Sequence, residues 1–236
     1  MDQNFVVCAF YTHEYEDEVL VLAESVKKYG YKGYFKKYSS FGKWELNVGI
    51  KPAFILHCLE KFTNSNILYI DADAVICGKL ELFENIDEYY DIGIFFTKNY
   101  PAYSKSRKSY WSDPVLTGTI FFNNNEKSIR FLQAWVKKQE SNVFQTDQKS
   151  FCLAMEAEKD IIFLELPIEY VKIFDIEKRG VLCSDPVITH FMSSRILEKK
   201  KLPPKVRKKK KMVSLHEKIK LMLGTVFSNK IKKKFL

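Results

Sequence analysis

The most informative stretch of the chain reads Asn66-Ile67-Leu68-Tyr69-Ile70-Asp71-Ala72-Asp73. Residues 67–70 are apolar and predict a buried β-strand, which ends abruptly at Asp71. On an extended chain, side chains at positions i and i+2 project to the same side, so the carboxylates of Asp71 and Asp73 are expected to face together. Ligands of open α/β sheets bind at the carboxyl ends of the strands, where this pair is predicted to lie.

Two carboxylates this close repel each other unless a cation lies between them or one of them is protonated. Oxygen ligands suit a hard divalent ion, and Mn²⁺ or Mg²⁺ would keep coordination positions open for phosphate oxygens. Such an ion can bridge a diphosphate and offset the charge of a departing phosphate group. A D-x-D triplet also occurs by chance, and aspartate commonly ends strands and begins turns. Other parts of the sequence must therefore indicate whether the pair binds a metal ion or only ends the strand.

Up to residue 194 the chain alternates between apolar strands and amphipathic helices. We predict strands at residues 5–10, 33–38, 67–70, 92–96, 119–122, 161–166 and 187–189. We predict helices at residues 17–28, 51–62, 126–140 and 146–158. This alternation, with continuously apolar strands, is typical of an α/β domain whose mostly parallel sheet carries helices on both faces.

The composition excludes several classes of protein. The chain has 236 residues, of which 46% are hydrophobic and 15% aromatic, so a disordered chain is excluded for most of its length. Its five cysteines are scattered without a C-x-x-C pair, which favours buried thiols in a reducing compartment over disulfides or a zinc site. We find no signal peptide and no apolar run long enough to span a bilayer. A cytoplasmic location is therefore expected.

The basic residues are concentrated in a tail, residues 195–236. This tail holds 16 of the 38 Lys and Arg residues and 2 of the 29 Asp and Glu residues, so residues 1–194 carry a mild net negative charge. Leu215, Ile219, Met222, Leu223 and Val226 recur at helical spacing among lysines, a pattern typical of a helix at a membrane surface. We therefore predict a domain at 1–194 and a membrane-associating tail at 195–236, peripheral at the cytoplasmic face.

The segment 66–83, NILYIDADAVICGKLELF, resembles the D-x-D region of the GT-A-fold glycosyltransferases. In that family an apolar strand, D-x-D, a second apolar stretch and an L..LF helix follow one another. The resemblance extends in element order over about the first 190 residues. It implies a GT-A, Rossmann-like domain that transfers a hexose from a nucleotide-sugar donor, a UDP-sugar by default, with Mn²⁺ or Mg²⁺.

The resemblance also implies donor-binding residues. Phe10-Tyr11-Thr12 follows the first strand, where the family receives the base and ribose, and Thr117-Gly118-Thr119 is similar to the family's strand beside the sugar. The family's late histidine is often followed by Gly and Lys that bind the diphosphate, a role for which Arg195 is the substitute here. The implied donor-binding set is Phe10, Tyr11, Thr12, Lys51, Asp71, Ala72, Asp73, Thr117, Gly118, Thr119 and Arg195.

Two further motifs concern catalysis and the metal. Thr146-Asp147-Gln148 resembles the D-Q motif of retaining, glycogenin-like members, which implies that Asp147 and Gln148 are catalytic and favours retention of configuration. Under inversion, Asp113 would be the candidate base. Thr189-His190-Phe191 resembles the family's late histidine that is the third protein ligand of the metal. The implied metal ligands are therefore Asp71, Asp73 and His190.

The residues alone also allow simpler interpretations. Lys51 could be a solvated charge at the start of a helix, Thr146 no more than a helix N-cap, and His190 a hydrogen-bonded core histidine. Gly118 could serve only close packing within a strand.

Two other classes of protein remain open. Residues 71–75 also fit the D-x-D-x-(T/V) string of haloacid-dehalogenase-type phosphatases, with Asp71 as the phosphoryl-accepting nucleophile. Those enzymes need a downstream lysine and a late acidic pair, and the nearest late candidate for that pair, Ser184-Asp185-Pro186, offers one carboxylate only. A non-enzymatic basic module that binds membranes or nucleic acid is the third possibility. The tail has only two aromatics, Phe227 and Phe235, so we expect no nucleic-acid partner and a glycan or lipid-linked acceptor instead.

Overall fold

The computed structural model describes residues 4–97, 114–173 and 183–191. The strands are β1 (Phe5–Tyr11), β2 (Gly33–Lys37), β3 (Asn66–Ile70), β4 (Ala74–Ile76), β5 (Ile92–Phe96), β6 (Val115–Phe122), β7 (Phe163–Glu165), β8 (Lys172–Ile173) and β9 (Ile188–His190). The helices are α1 (Glu16–Lys28), α2 (Trp44–Val48), α3 (Lys51–Lys61), α4 (Glu81–Glu84), α5 (Glu126–Ser141) and α6 (Asp147–Ala157), with 3₁₀ turns at His13–Tyr15 and Ile168–Tyr170.

Six strands form the central sheet in the order β2-β1-β3-β6-β5-β7. β1 pairs in parallel with β2 and β3, and β5 pairs in parallel with β7. β6 runs antiparallel to both of its neighbours, β3 and β5. Five of the six strands therefore point the same way, and the predicted mostly parallel α/β sheet is confirmed.

Helices cover both faces of this sheet because the strands are apolar on both sides. Residues of β1 alternate between two hydrophobic clusters, with Val7 in one and Val6 in the other. Leu22 and Val26 of α1 pack in the first cluster, while α3, α5 and α6 pack in the second through Phe54, Phe131 and Phe151. The core thus consists of two apolar layers separated by the sheet.

Sequence features explain where several elements begin and end. Gly30 follows α1 with a φ of 79°, the left-handed conformation that glycine adopts without steric cost. Pro52 lies in the first turn of α3, where its missing N–H removes no helical hydrogen bond. Asn125 and Thr146 cap α5 and α6 by accepting backbone N–H groups with their side chains. Each of these signals lies within a few residues of the helix end that it marks.

A second, three-stranded sheet has the order β4-β9-β8 and was not predicted. β4 is only three residues long and directly follows the aspartate pair. It pairs antiparallel with β9, and Ala74 lies opposite His190. This small sheet brings the late part of the domain to the end of β3.

The five cysteines are free thiols, four of them buried and Cys77 half-buried, as the sequence predicted. Among the described residues, no helix is both long enough and apolar enough to cross a membrane. The predicted tail at 195–236 lies outside the described residues, so the division into a domain and a tail stays a prediction.

Candidate functional site

The aspartate pair lies at the carboxyl end of β3, in a tight turn. The backbone N–H of Asp71 donates to the carbonyl oxygen of Gly118 at 2.8 Å, which ties the turn to β6. The N–H of Ala74 then donates to the carbonyl oxygen of Asp71 at 3.1 Å and starts β4. The two aspartates are half-buried, whereas Ala72 between them is buried. Their carboxylates therefore stay accessible at the edge of a buried sheet.

His190 reaches this pair through the β4–β9 pairing. The N–H of Phe191 donates to the carbonyl oxygen of Asp73 at 3.0 Å, so the end of β9 is anchored at the turn. One ligand atom each from Asp71, Asp73 and His190 lies within 4.8 Å of the others. Two carboxylate oxygens and one imidazole nitrogen are a donor set that Mn²⁺ accepts readily and that Mg²⁺ can also use. The three predicted ligands fit a divalent ion.

Gly118 keeps space open next to these ligands. A Cβ atom at this position would lie 3.0 Å from Cε1 of His190 and 3.2 Å from Oδ2 of Asp71. Any larger residue would therefore press on both ligands. Close packing alone does not account for this glycine, because the atoms it would crowd belong to the candidate metal site.

We expect Gly118→Ala to raise the dissociation constant for Mn²⁺ about tenfold, equivalent to roughly 1.4 kcal/mol. The added methyl forces Asp71 and His190 apart, whereas alanine is acceptable to a β-strand backbone. Titration of Mn²⁺ followed by electron paramagnetic resonance measures the effect. Gly78→Ala is the matched control, since its Cβ would meet Val187 only at an ordinary 3.7 Å. Equal affinities in the two variants would contradict the assigned role of Gly118.

Lys51 is buried rather than solvated, so its interpretation as a surface charge is wrong. Its side chain is 4% exposed, and Nζ lies 2.5 Å from Oδ2 of Asp147 and 3.0 Å from Oδ1 of Asp71. Nζ also donates to the carbonyl oxygen of Thr117 at 3.1 Å. Burial alone lowers the pKa of Lys51, but the carboxylates of Asp147 and Asp71 outweigh it and raise the pKa above its usual value. A charged ammonium thus joins the D-x-D turn to the D-Q helix.

The D-Q motif opens α6 and faces the start of β6. The hydroxyl of Thr117 donates to Oδ2 of Asp147 at 2.7 Å, so this oxygen receives both the hydroxyl and the ammonium of Lys51. Gln148 donates from Nε2 to the carbonyl oxygen of Val115 at 2.7 Å. Thr146 is indeed an N-cap, with Oγ1 accepting from a backbone N–H. Asp147 is buried as a paired carboxylate beside the aspartate turn.

Asp71 divides its two oxygens between different partners. Oδ1 accepts from the hydroxyl of Tyr69 at 2.8 Å and from the ammonium of Lys51. Oδ2 is the oxygen near the space that Gly118 leaves open, beside His190. This division orients the carboxylate through Oδ1 and leaves Oδ2 directed toward the candidate metal site, an arrangement that fixes a ligand before the ion binds.

The imidazole of His190 is neutral at pH 7. Burial lowers the pKa of His190 from 6.5 to about 4; Asp71 opposes this shift and Lys51 adds to it. Only a neutral imidazole has a nitrogen lone pair to offer a metal ion. Protons therefore compete with a metal ion for the imidazole of His190 only at acidic pH.

The same shift predicts how the stability of the metal-free protein depends on pH. The unfolded chain protonates His190 near pH 6.5 and the folded chain only near pH 4, so the unfolded state binds more protons between these values. The free energy of unfolding should therefore fall with decreasing pH, by about 3 kcal/mol at most. Urea unfolding with a chelator present, between pH 7.5 and 4.5, should show a shallower slope for His190→Asn. Identical slopes for the wild type and His190→Asn would show that His190 does not cause the loss of stability at low pH.

The other predicted donor residues lie at the end of β1. Phe10 is buried and its ring packs against Tyr69 and Phe54, so it belongs to the core. Tyr11 is half-buried, and Thr12 is buried at the start of the 3₁₀ turn. β1 and β3 are parallel neighbours, so the ends of both strands open onto the same edge as the aspartate pair.

Tyr15, which none of the predicted motifs includes, also belongs to this edge. Burial, followed by the charges of Asp73 and Asp71, raises the pKa of Tyr15 well above its usual range. Its phenol is therefore protonated and close to the aspartate pair. Its position in the turn directly after β1 was the available signal, because residues after a strand's carboxyl end meet ligands in sheets of this kind.

Thr119 is another predicted donor residue whose side chain contacts the protein interior. It is fully buried, and its hydroxyl contacts Nε2 of His190 and the carbonyl oxygen of Tyr170. Arg195 and Asp113, predicted to contact phosphate and to act as a base under inversion, lie outside the described residues.

Solved structures provide the comparison that identifies this architecture. The chain is similar to a glycosyltransferase involved in the glycosylation of the major capsid of PBCV-1, with a TM-score of 0.62 and 14% identity over 83% of this chain and 97% of that one. It is also similar to the glycosyltransferase GlyE of Streptococcus pneumoniae TIGR4, with a TM-score of 0.57 and 16% identity. The chain has a GT-A-like glycosyltransferase fold.

GlyE is much the longer protein, since the alignment covers 81% of this chain but 55% of GlyE. A further similar structure is the galactosyltransferase LgtC, solved in complex with donor and acceptor sugar analogues, with a TM-score of 0.50, 10% identity and coverage of 80% of this chain and 87% of LgtC. No protein-family model and no curated protein sequence matches the chain. The predicted fold class is confirmed.

The phosphatase alternative predicted a different set of neighbours for Asp71. A downstream lysine and a late acidic pair should converge on a nucleophilic aspartate in such an enzyme. Within residues 4–97, 114–173 and 183–191, the lysine at Asp71 is instead Lys51, which precedes it in the chain, and the late residue beside the pair is His190. Asp185 is exposed, with its carboxylate accepting from Ser184. The neighbours of Asp71 therefore differ from those that the phosphatase alternative predicted.

Proposed function

We propose that the chain is a metal-dependent glycosyltransferase that moves a hexose from a nucleotide-diphosphate sugar to a glycan or lipid-linked acceptor. The observation that carries this proposal is the convergence of Asp71, Asp73 and His190 at the carboxyl edge of a GT-A-like sheet. The similar proteins act in glycosyl transfer by their descriptions, and LgtC was solved with donor and acceptor sugar analogues. A UDP-sugar is the donor that the sequence resemblance favours.

In this proposal, Asp71, Asp73 and His190 hold a Mn²⁺ or Mg²⁺ ion on the diphosphate side of the donor. When bound, the ion supplies Lewis-acid stabilisation of the charge that develops on the leaving phosphate. Lys51 holds Asp71 and Asp147 at fixed positions, since its ammonium contacts both carboxylates. The site is thereby organised before the donor arrives, which lowers the cost of arranging charges during the reaction.

The contacts of Asp147 are compatible with the role that the D-Q resemblance gives it in transfer with retention of configuration. An inverting enzyme needs a carboxylate that takes a proton from the acceptor hydroxyl. Asp147 accepts from Thr117 and Lys51 at Oδ2, so the structure uses it as a buried, paired anion. Such a carboxylate can offset positive charge at the anomeric carbon without taking up a proton. We therefore assign an electrostatic role to Asp147 and a positioning role to Gln148.

We also propose that residues 195–236 associate with the cytoplasmic face of a membrane, where a lipid-linked acceptor would be located. The support is the sequence pattern of basic residues and helically spaced apolar residues.

A thermal-shift screen of the full chain tests the proposed function directly. Nucleoside diphosphates and nucleotide sugars are added with Mn²⁺ or with a chelator, and stabilisation is expected only when nucleotide and metal are both present. A ligand at about 100 times its dissociation constant should stabilise the folded state by roughly 2.7 kcal/mol. Absence of stabilisation by any nucleotide in the presence of Mn²⁺ would refute the proposal. Formation of an aspartyl-phosphate analogue at Asp71 would support the phosphatase instead.

A further inference from the structure

Thr119 occupies a position between the candidate metal ligand His190 and the protein backbone. It lies in β6 opposite Ile70, the residue that precedes Asp71. Its side chain is completely buried, and Oγ1 lies 3.0 Å from the carbonyl oxygen of Tyr170 and 2.8 Å from Nε2 of His190. A hydroxyl has one hydrogen to donate and lone pairs with which to accept, so the two contacts have determined directions.

The carbonyl oxygen of Tyr170 can only accept a hydrogen bond, so the hydroxyl of Thr119 must donate to it. The oxygen of Thr119 is then left as an acceptor for the imidazole. Nε2 of His190 must therefore carry the hydrogen, and in a neutral ring this leaves the lone pair on Nδ1. The contacts of one threonine thus determine which nitrogen of the histidine can bind a metal ion.

Nδ1 is also the nitrogen beside the space that Gly118 leaves open next to Asp71. A Cβ atom built on Gly118 would lie 3.2 Å from Nδ1 of His190 and 3.2 Å from Oδ2 of Asp71, so both atoms border the same small space. The side of the ring that bears the lone pair therefore borders the same space as Oδ2 of Asp71. The side that bears the hydrogen points into the protein interior.

We propose that Thr119 is a positioning residue that fixes His190 as the Nε2–H tautomer and directs the Nδ1 lone pair toward Asp71 and Asp73. The proposal rests on the metal site of the proposed function. It gives Thr119 a role different from the donor contact that its motif implied. In metal sites, partners of this kind orient the ligand and make it a better donor, and their loss typically weakens metal affinity 10- to 100-fold.

The negative charge of the aspartates works against the Nε2–H tautomer of His190. A carboxylate beside Nδ1 favours a hydrogen on that nitrogen, because an N–H can then donate to the anion. The Nδ1–H tautomer has no lone pair facing the site and cannot bind the ion there. The contact chain from Tyr170 through Thr119 to His190 offsets this tendency, since the opposite tautomer would need the hydroxyl of Thr119 to turn toward Nε2 and give up its hydrogen bond to Tyr170.

The experiment uses the full chain in wild-type form and as Thr119→Val and Thr119→Ser. Valine matches the shape of threonine without the hydroxyl, whereas serine keeps the hydroxyl. Thr189→Val is the matched control, because Thr189 is also buried, precedes His190 and has a hydroxyl that contacts Cys77 instead. Two-bond ¹H–¹⁵N correlation spectra of the chelator-treated protein report the tautomer, with His190→Asn assigning the signal among the four histidines. Electron paramagnetic resonance reports Mn²⁺ affinity.

We expect the wild type to show His190 as the Nε2–H tautomer. Thr119→Val should shift the signal toward Nδ1–H and weaken Mn²⁺ binding about 10- to 100-fold, while Thr119→Ser and Thr189→Val stay within about threefold of wild type. An Nδ1–H tautomer in the wild type overturns the proposal even if Thr119→Val does not fold. Unchanged Mn²⁺ affinity in folded Thr119→Val also overturns it. Neither readout uses a nucleotide, so nucleotide sugars that fail to bind would refute only the proposed function.

Discussion

Asp73→Asn and Asp71→Asn are each expected to reduce metal-dependent sugar transfer and donor hydrolysis by about 10³-fold. A bound ion supplies several kcal/mol of charge stabilisation in the transition state, and loss of a charged ligand removes most of it. Asp73→Asn is the cleaner variant, because Asp71 also pairs with Lys51. Initial rates measured against Mn²⁺ concentration, with a UDP-sugar and a chelator control, test the expectation.

The same variants should keep the fold. Removing one of two neighbouring negative charges relieves repulsion in the metal-free protein, so its melting temperature should not fall for Asp73→Asn. The increase in melting temperature caused by Mn²⁺ should disappear. Asp185→Asn is the control, because the phosphatase alternative needs this residue whereas the proposed metal site does not. Full activity of both site variants in the presence of a chelator would rule out the metal mechanism.

Lys51→Met is expected to lower the free energy of unfolding by about 3–5 kcal/mol and to reduce activity strongly. Removing the ammonium leaves the buried carboxylate of Asp147 without its countercharge, and a broken buried ion pair has a cost of this size. Methionine retains the length and helix propensity of lysine, so lost charge is the main change. Urea unfolding at pH 7 measures the stability, and initial-rate assays measure the activity.

Two further variants separate charge from packing. Lys51→Met combined with Asp147→Asn should recover part of the lost stability, since no unpaired carboxylate then remains at this position, but it should not recover activity. Lys61→Met alters the exposed lysine at the other end of α3 and should change stability by no more than about 0.5 kcal/mol. A Lys51→Met protein as stable as wild type would show that the buried ion pair is unimportant.

Local patterns were sufficient to predict much of the fold. The apolar run before Asp71 is a strand, the predicted helix at 51–62 is α3, and Thr146 caps α6. Each of these follows from apolar periodicity or from capping within a few residues of sequence. The predicted fold class followed because alternating strands and helices permit few arrangements.

The remaining features depend on contacts between distant segments. An apolar run does not specify strand direction, so the antiparallel orientation of β6 could not be read from it. β4 has only three residues and depends on its pairing with β9. A lysine at the start of a helix is usually solvated, and only the position of Asp147 explains why Lys51 is buried. The hydrogen-bond direction at Thr119 likewise depends on a carbonyl 51 residues later.

The buried ion pair of Lys51 has a consequence for the order in which substrates bind. Among the described residues, the carboxylates of Asp71, Asp73 and Asp147, the ammonium of Lys51 and the neutral imidazole of His190 together carry a net charge of −2. A divalent cation makes this cluster electroneutral, whereas a monovalent cation leaves it negative. A diphosphate that approached these side chains before the cation would meet their net negative charge and be repelled. Under the proposed function, the kinetic scheme is therefore a sequential one in which the cation enters before the nucleotide sugar or together with it.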